Sequence, residues 1–179
     1  GKYRGHRLQL SSRYDDNSQF GDKTTGTAAY GYQFTPSWRA NVGYGTAFRA
    51  PSFNDLYWPF ASYGASGTYQ GNPNLKPEFG RNREVSVHYE TGTQNVSLTW
   101  FLNRVENLIA SSGEFNNMPI NIGNARLEGV TLAYAGNLAG FDLQANYNHQ
   151  DPRNADTDKL LARRARNFAT ASIGRNIGA

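Results

Sequence analysis

The residues of this chain with the clearest capacity for chemistry are arginines. Three of them sit within "ARRAR" at residues 162–166: Arg163, Arg164 and Arg166. A guanidinium offers forked donors that suit phosphates, carboxylates and carbonyl-rich ligands; the plainer role is a charged strand end meeting phosphates of its surroundings. A second group is aromatic. Tyr57, Trp58, Tyr63 and Tyr69 lie in a stretch with almost no charge and would give a bulky ligand rigid apolar contacts. Asp15, Asp16 and Asp22 could gather oxygens around Ca²⁺, but they read more simply as a solvated loop, as do Asp151, Asp156 and Asp158. His6, His88 and His149 fall in separate segments, which argues against a shared metal. There is no cysteine, so disulfides and thiolate metal sites are excluded. No G-x-S-x-G, H-E-x-x-H or phosphate-cradling glycine loop occurs. The expected chemistry is binding, without catalysis and without a resident metal or cofactor.

Something must hold these groups in place, and the pattern is β throughout. Hydrophobic residues make up only 38% of the 179, with mean hydropathy −0.67, yet aromatics reach 13% and charged residues only 18%. Disorder would show few aromatics and high net charge. No apolar run is long enough for a membrane helix, which leaves a membrane barrel open. The net charge of +4 is scattered, and nucleic acid is not an expected partner. Alternation recurs at period two. In "NVSLTWFLN" Val96, Leu98, Trp100 and Leu102 oppose Asn95, Ser97, Thr99 and Asn103, with Phe101 out of step. The stretches around Trp38–Phe48, Val85–Tyr89 and Phe141–Tyr147 alternate likewise, and four weaker segments bring the count to about eight strands. The connections alternate too. Long polar stretches follow strands one, three, five and seven, and short turns follow the others, so an up-and-down sheet carries all its long loops at one end. Long loops at one end, strands near the 9–11 residues that span a tilted membrane strand, and aromatics near strand ends (Tyr14, Phe34, Trp38, Phe48, Tyr89, Phe141) describe an outer-membrane barrel. Arg39, Glu84, His88 and Asp142 would face a watery lumen. Arg126 and Glu128 would point outward beyond Val130, Leu132 and Tyr134, at headgroup level. The loop at residues 50–77 is oversized for a small closed barrel, so a wall segment of a larger one is expected. Within it, Pro51 would end a strand while Asn54 and Asp55 cap local turns.

"YGTAFRAPSFNDLY" (44–57), "GNPNLKPE" (71–78) and "IGNARLEGVTL" (122–132) together resemble the barrel of TonB-dependent outer-membrane receptors. In the last of these, Thr131 stands where many members carry Glu. "DPRNADTDKLLARRA" (151–165) is similar to the cobalamin (vitamin B12) branch of that family, with one extra residue, Ala162, before the arginine pair. The resemblance implies an all-β, antiparallel up-and-down transmembrane barrel of 22 strands, of which this chain supplies about eight. It implies a plug domain and last strands that lie elsewhere. It also implies uptake of a scarce, large nutrient by binding at the extracellular face and TonB-driven gating. Arg163, with Arg164 as its alternative, would meet the ligand's amide-rich rim or phosphate. Tyr57, Trp58, Tyr63 and Tyr69 would help cover the ligand. Expected partners are outer-membrane lipid, lipopolysaccharide, the TonB complex reached through the plug, and the ligand; the receptor would act as a monomer in a Gram-negative outer membrane. The alternatives are an iron-siderophore or haem receptor on the same barrel and, in another class, a passive porin or small structural barrel.

Overall fold

A computed structural model describes residues 2–3, 5–113, 116–161 and 164–175. Eight long strands account for most of them: β2 (His6–Asp15), β3 (Lys23–Gln33), β4 (Trp38–Arg49), β7 (Glu78–Thr91), β8 (Gln94–Glu106), β12 (Ala125–Leu138), β13 (Phe141–Asn154) and β14 (Asn167–Gly174). The short β1 (Lys2–Tyr3) pairs with β2. The long loops hold one helical turn, α1 (Phe53–Tyr57), and the short strands β5 (Ala61–Ser62), β6 (Thr68–Tyr69), β9 (Ile109–Ser111), β10 (Asn116–Asn117) and β11 (Pro119–Asn121). The main sheet runs β1-β2-β3-β4-β7-β8-β12-β13-β14, and each successive pair is antiparallel. Among the described residues no pairing joins β14 back to β1 or β2, so the sheet is an open wall.

The register carries side chains of one kind across the whole sheet. Val42 lies opposite Val85, Val85 opposite Trp100, Trp100 opposite Val130, and Val130 opposite His149. One step along, Ala40, Val87, Leu98, Leu132 and Tyr147 form the next row. The other face holds Asn41, Ser86, Thr99, Thr131 and Asn148 in one row. These are the faces the alternation assigns. The apolar face is uncovered: Leu10 is 69% exposed and Leu98 50%, and the buried aliphatic residues among those described are only Leu56, Leu75, Leu102 and Ala125. A wall of exposed Leu, Val and Tyr on one side and amides and hydroxyls on the other has no core to fold around in water. It is stable where hydrocarbon solvates one face and water the other.

Phe101, the residue out of step, turns to the polar face and lies opposite Gly129. Its ring tip is 2.8 Å from where a Gly129 Cβ would stand, so the aromatic covers a glycine across the strand pair. This pair accounts for both the break in alternation and the Gly of "LEGV".

The turns are local devices. β12 and β13 are joined by Ala139 and Gly140 at φ 52° and 83°, the two left-handed positions of a type I′ hairpin. β7 and β8 are joined by Gly92 and Thr93 alone, with Gly92 at φ 38°. At the β3–β4 turn the Thr35 hydroxyl accepts from the amides of Ser37 and Trp38. A ladder of rings runs along this end, His6–Tyr32–Phe34–Trp38–Tyr89, with centroid separations of 4.6, 6.4, 6.4 and 4.8 Å, as an interfacial aromatic girdle requires.

Candidate functional site: the woven cap of long loops

At the opposite end the connections are long, and they hold one another. "APSFNDLY" forms α1 because Ser52 caps it: the Asp55 amide donates to Ser52 Oγ (3.1 Å), and the Ser52 amide donates back to Asp55 Oδ2 (2.9 Å). This reciprocal capping box satisfies donors that a one-turn helix leaves free. The cap is therefore Ser52 with Asp55; Asn54, expected to cap, contributes its carbonyl to the Trp58 amide. Burial works against the Asp55 carboxylate, but the Ser52 bonds and nearby Arg49 outweigh it and hold the acid below its usual range.

"GNPNLKPE" then packs on the end of α1. The Gly71 amide donates to the Trp58 carbonyl (2.9 Å) and the Asn72 amide to that of Asp55 (2.7 Å). A Cβ on Gly71 would meet the Trp58 nitrogen at 2.6 Å and the Leu56 carbonyl oxygen at 2.8 Å, so only glycine fits. Pro51, Leu56 and Leu75 are the buried apolar groups of this loop. Glu78, 8% exposed, accepts from the Ile109 amide (2.7 Å) and from Arg49 (3.2 Å).

The β8–β12 loop is stitched to this by amide side chains. Asn121 accepts from the Lys76 amide (2.9 Å) and donates to the carbonyls of Lys76 (3.0 Å) and Asn107 (2.7 Å). Asn72 donates to the Pro119 carbonyl (3.0 Å). β10 pairs in parallel with β6, and β6 in antiparallel with β5, so two loops share one small sheet. Asp156 of the last loop accepts from the Asn124 amide (2.8 Å) and side chain (3.0 Å), and these bonds lower its pKa. Gln19 of the first loop donates to the Tyr57 hydroxyl (2.7 Å). All four long loops are thus tied into one cap.

On this cap the structure brings most of the expected aromatics together. Tyr57 packs on Phe53 (5.1 Å between centroids), and Trp58 meets Tyr69 edge-on (6.4 Å). Tyr63 stands 57% exposed at the tip of the β5–β6 hairpin, and Phe60, just before β5, is 64% exposed. Burial, and after it the charges of Asp55 and Tyr63, raise the Tyr69 pKa. Arg163 and Ala162 lie outside the described residues. Arg164 is exposed and has no hydrogen bond or ion pair among the described residues. Arg166 reaches Asp151 (3.5 Å), which lies in register with Glu128 on the apolar face. In the first loop Asp15 pairs with Arg13, and Asp22 accepts from Tyr14. Gln19, Phe53, Phe60 and the asparagines at 72, 107, 121 and 124 are parts of the cap that the sequence pattern does not single out. Their only signal is an excess of amides in segments that alternate with strands.

The cap that results carries Tyr57, Trp58, Tyr63 and Tyr69 on loops tied to one another by amide side chains.

Residues 4–177 match the family described as TonB dependent receptor-like, beta-barrel. The chain is 32% identical over 177 residues to the vitamin B12 transporter BtuB of Photobacterium profundum, covering 93% of this chain and 27% of that protein. It is 33% identical over 168 residues to the BtuB of Vibrio vulnificus, covering 92% and 26%. It therefore spans about a quarter of these relatives' length. Among solved structures, a point mutant of the ferric enterobactin receptor PfeA of Pseudomonas aeruginosa superposes with TM-score 0.75 at 21% identity, covering 96% of this chain and 28% of that one. The siderophore receptor PirA of the same organism gives 0.72 at 22%, covering 84% and 29%. Those two likenesses speak to the fold. With the antiparallel wall, its long-loop cap and a family match over nearly its whole length, this chain belongs to the TonB-dependent receptor β-barrel family.

Proposed function

We propose that this chain is part of the wall and extracellular cap of a Gram-negative outer-membrane receptor that imports cobalamin, with gating driven through TonB. The observation that carries the reading is the 32–33% identity to two vitamin B12 transporters across more than nine-tenths of the chain. The cap supports it: a corrinoid is large, flat-sided and fringed with amides, which matches exposed rings set among Asn and Gln. Ligand docks on Tyr57, Trp58, Tyr63 and Tyr69, with Arg163 or Arg164 supplying a charged donor to its rim or phosphate. In this reading the plug, the TonB contact and the remaining strands belong to the rest of the receptor, and residues 4–177 are part of its barrel. Gating needs a lumen, and the row of Asn, Ser and Thr on the polar face would line it.

The test is binding of radiolabelled cyanocobalamin to cells expressing the full-length receptor. Saturable binding is expected. Trp58→Ala weakens it about tenfold or more, as loss of an aromatic anchor covered by its ligand does, and Arg163→Ala or Arg164→Ala weakens it at unchanged surface expression. Absence of saturable cobalamin binding, with uptake of an iron-siderophore or haem instead, replaces this reading with the iron-receptor alternative.

A further inference from the structure

The first long loop meets the aromatics through Gln19, and the direction of that hydrogen bond has a chemical consequence. The loop tip is fixed although it is open to solvent. The Asn17 side-chain oxygen accepts from the amides of Gln19 and Phe20 (3.0 Å each), and the Asn17 carbonyl accepts from the Gly21 amide (2.9 Å), with Gly21 at φ 74°. From this tip Gln19 Nε2 donates to the Tyr57 hydroxyl at 2.7 Å, across 38 positions of sequence. Tyr57 also packs on Phe53, one turn earlier in α1. Gln19, Phe53 and Tyr57 are all exposed. A hydrogen bond between groups this open adds little to folding, because water offers each an equal partner. Its effect lies in what it does to the hydroxyl.

A phenol has one proton and two acceptor lone pairs, while an amide nitrogen only donates. Gln19 therefore occupies a lone pair of Tyr57 and leaves the proton uncommitted. Among the described residues that proton has no acceptor. Other tyrosines of the chain differ: the hydroxyls of Tyr14, Tyr134 and Tyr147 donate to Asp22, Gln94 and Asn167, so their protons are taken within the protein. We propose that Gln19 is a positioning residue that makes Tyr57 a hydrogen-bond donor toward the ligand, selecting a carbonyl or carboxylate-type oxygen where the ligand rests on the Phe53–Tyr57 pair. The inference rests on the reading that the cap binds the imported ligand. The amide carbonyls on a corrinoid rim are acceptors of this kind.

The test compares cyanocobalamin affinity on cells expressing the full-length receptor as wild type, Tyr57→Phe, Gln19→Glu and the double variant, with surface expression measured in parallel. Tyr57→Phe removes the donor and should weaken binding about tenfold, the worth of one hydrogen bond. Gln19→Glu keeps the side-chain length and the tie between the loops but reverses its direction: the carboxylate takes the Tyr57 proton, and the ligand oxygen meets only lone pairs. It should weaken binding by the same factor, and the double variant should bind no more weakly than either single one. A role in folding alone predicts wild-type affinity in Gln19→Glu, since the loops stay joined, and that result overturns the proposal. Additive losses overturn it too, because they would trace the effect to the added charge and not to the hydroxyl. Absence of saturable cyanocobalamin binding strikes the transport reading; the same four proteins titrated with haemin and with an iron trihydroxamate then carry the test, and the same non-additive pattern with either one leaves Gln19 in its role. Binding of none of the three overturns it together with that reading.

Discussion

The two ends of this wall join antiparallel strands by opposite means. At the turn end each connection is solved within a few residues: Ala139 and Gly140 adopt left-handed backbone, and nothing lies within 4 Å of where a Gly140 or Gly92 Cβ would be. At the loop end each connection is solved by another connection. Gly71 there has no left-handed backbone to excuse it; it is glycine because the backbone of α1 leaves no room. The first kind of end is encoded mainly within each turn and meets its neighbours through single bonds, from the Glu90 amide to the Ser37 carbonyl and from the Asn137 amide to that of Thr93. The second is a cooperative unit, and a substitution in one loop reaches the others.

That glycine is where the cap should fail most completely. Gly71→Val forces the α1 segment and the "GNPN" segment apart, at a cost of about 3 kcal/mol or more. Limited proteolysis of intact cells should then cut within residues 50–77 while the barrel remains folded. Gly140→Ala at the turn end meets open space and costs only the left-handed strain of about 1–2 kcal/mol, with no new cleavage in the long loops. Next in size, Glu78→Ala removes a buried acceptor and leaves the Ile109 amide without its partner, while exposed Arg49 keeps Asp55 at 3.9 Å, worth about 1–3 kcal/mol. It should expose the β8–β12 loop as well as its own, which is the signature of a shared cap.

Much of the wall is legible from sequence, and the reason is physical. A sheet face that meets one solvent on each side needs strict alternation, and Val96–Leu98–Trp100–Leu102 shows it openly. Loop lengths alternate because antiparallel strands put successive turns at opposite ends. The cap is not legible in the same way. Asn72, Asn121 and Asn124 look like ordinary loop polar residues, and their roles depend on partners up to 47 positions away. The aromatics can be singled out by type, but that Trp58 meets Tyr69 while Tyr57 turns to Phe53 depends on the fold of α1 and the β5–β6 hairpin. Phe101 breaks the alternation in sequence, and only its register with Gly129 gives the break a reason.

Two asparagines carry the same contrast at single residues. Asn121 makes three bonds to backbone of residues 14 and 45 positions away. Asn137 also uses both side-chain atoms, but its partners are Gly140 and Asp142. Asn121→Ala should loosen the cap by about 1–2 kcal/mol and weaken ligand binding at the aromatics it helps to position. Asn137→Ala should cost about 0.5–1 kcal/mol and leave ligand affinity unchanged, since its hairpin is held by the β12–β13 ladder. Ligand titration on cells, with surface expression measured in parallel, separates the two.

A weaker effect is a pH dependence confined to the cap. In the folded chain the Asp55 carboxyl is held below its ordinary value: burial raises it, and the Ser52 bonds and Arg49 lower it more. Asp156 is lowered by the bonds from Asn124. A carboxyl whose pKa is depressed by folding adds stability above its unfolded value, near 4, and loses it as pH falls through the folded value beneath. Loop protease resistance should therefore stay flat from neutral pH down to about 4 and decline only below that. Asp55→Asn keeps a side-chain acceptor for the capping box but removes the ionisation, so it should lower resistance slightly at pH 7 and reduce the acid step. A decline between about pH 5 and 7 would show that some group other than these carboxylates is the weakest tie in the cap. A step of equal size at the turn end would erase the distinction between a locally encoded end and a woven one.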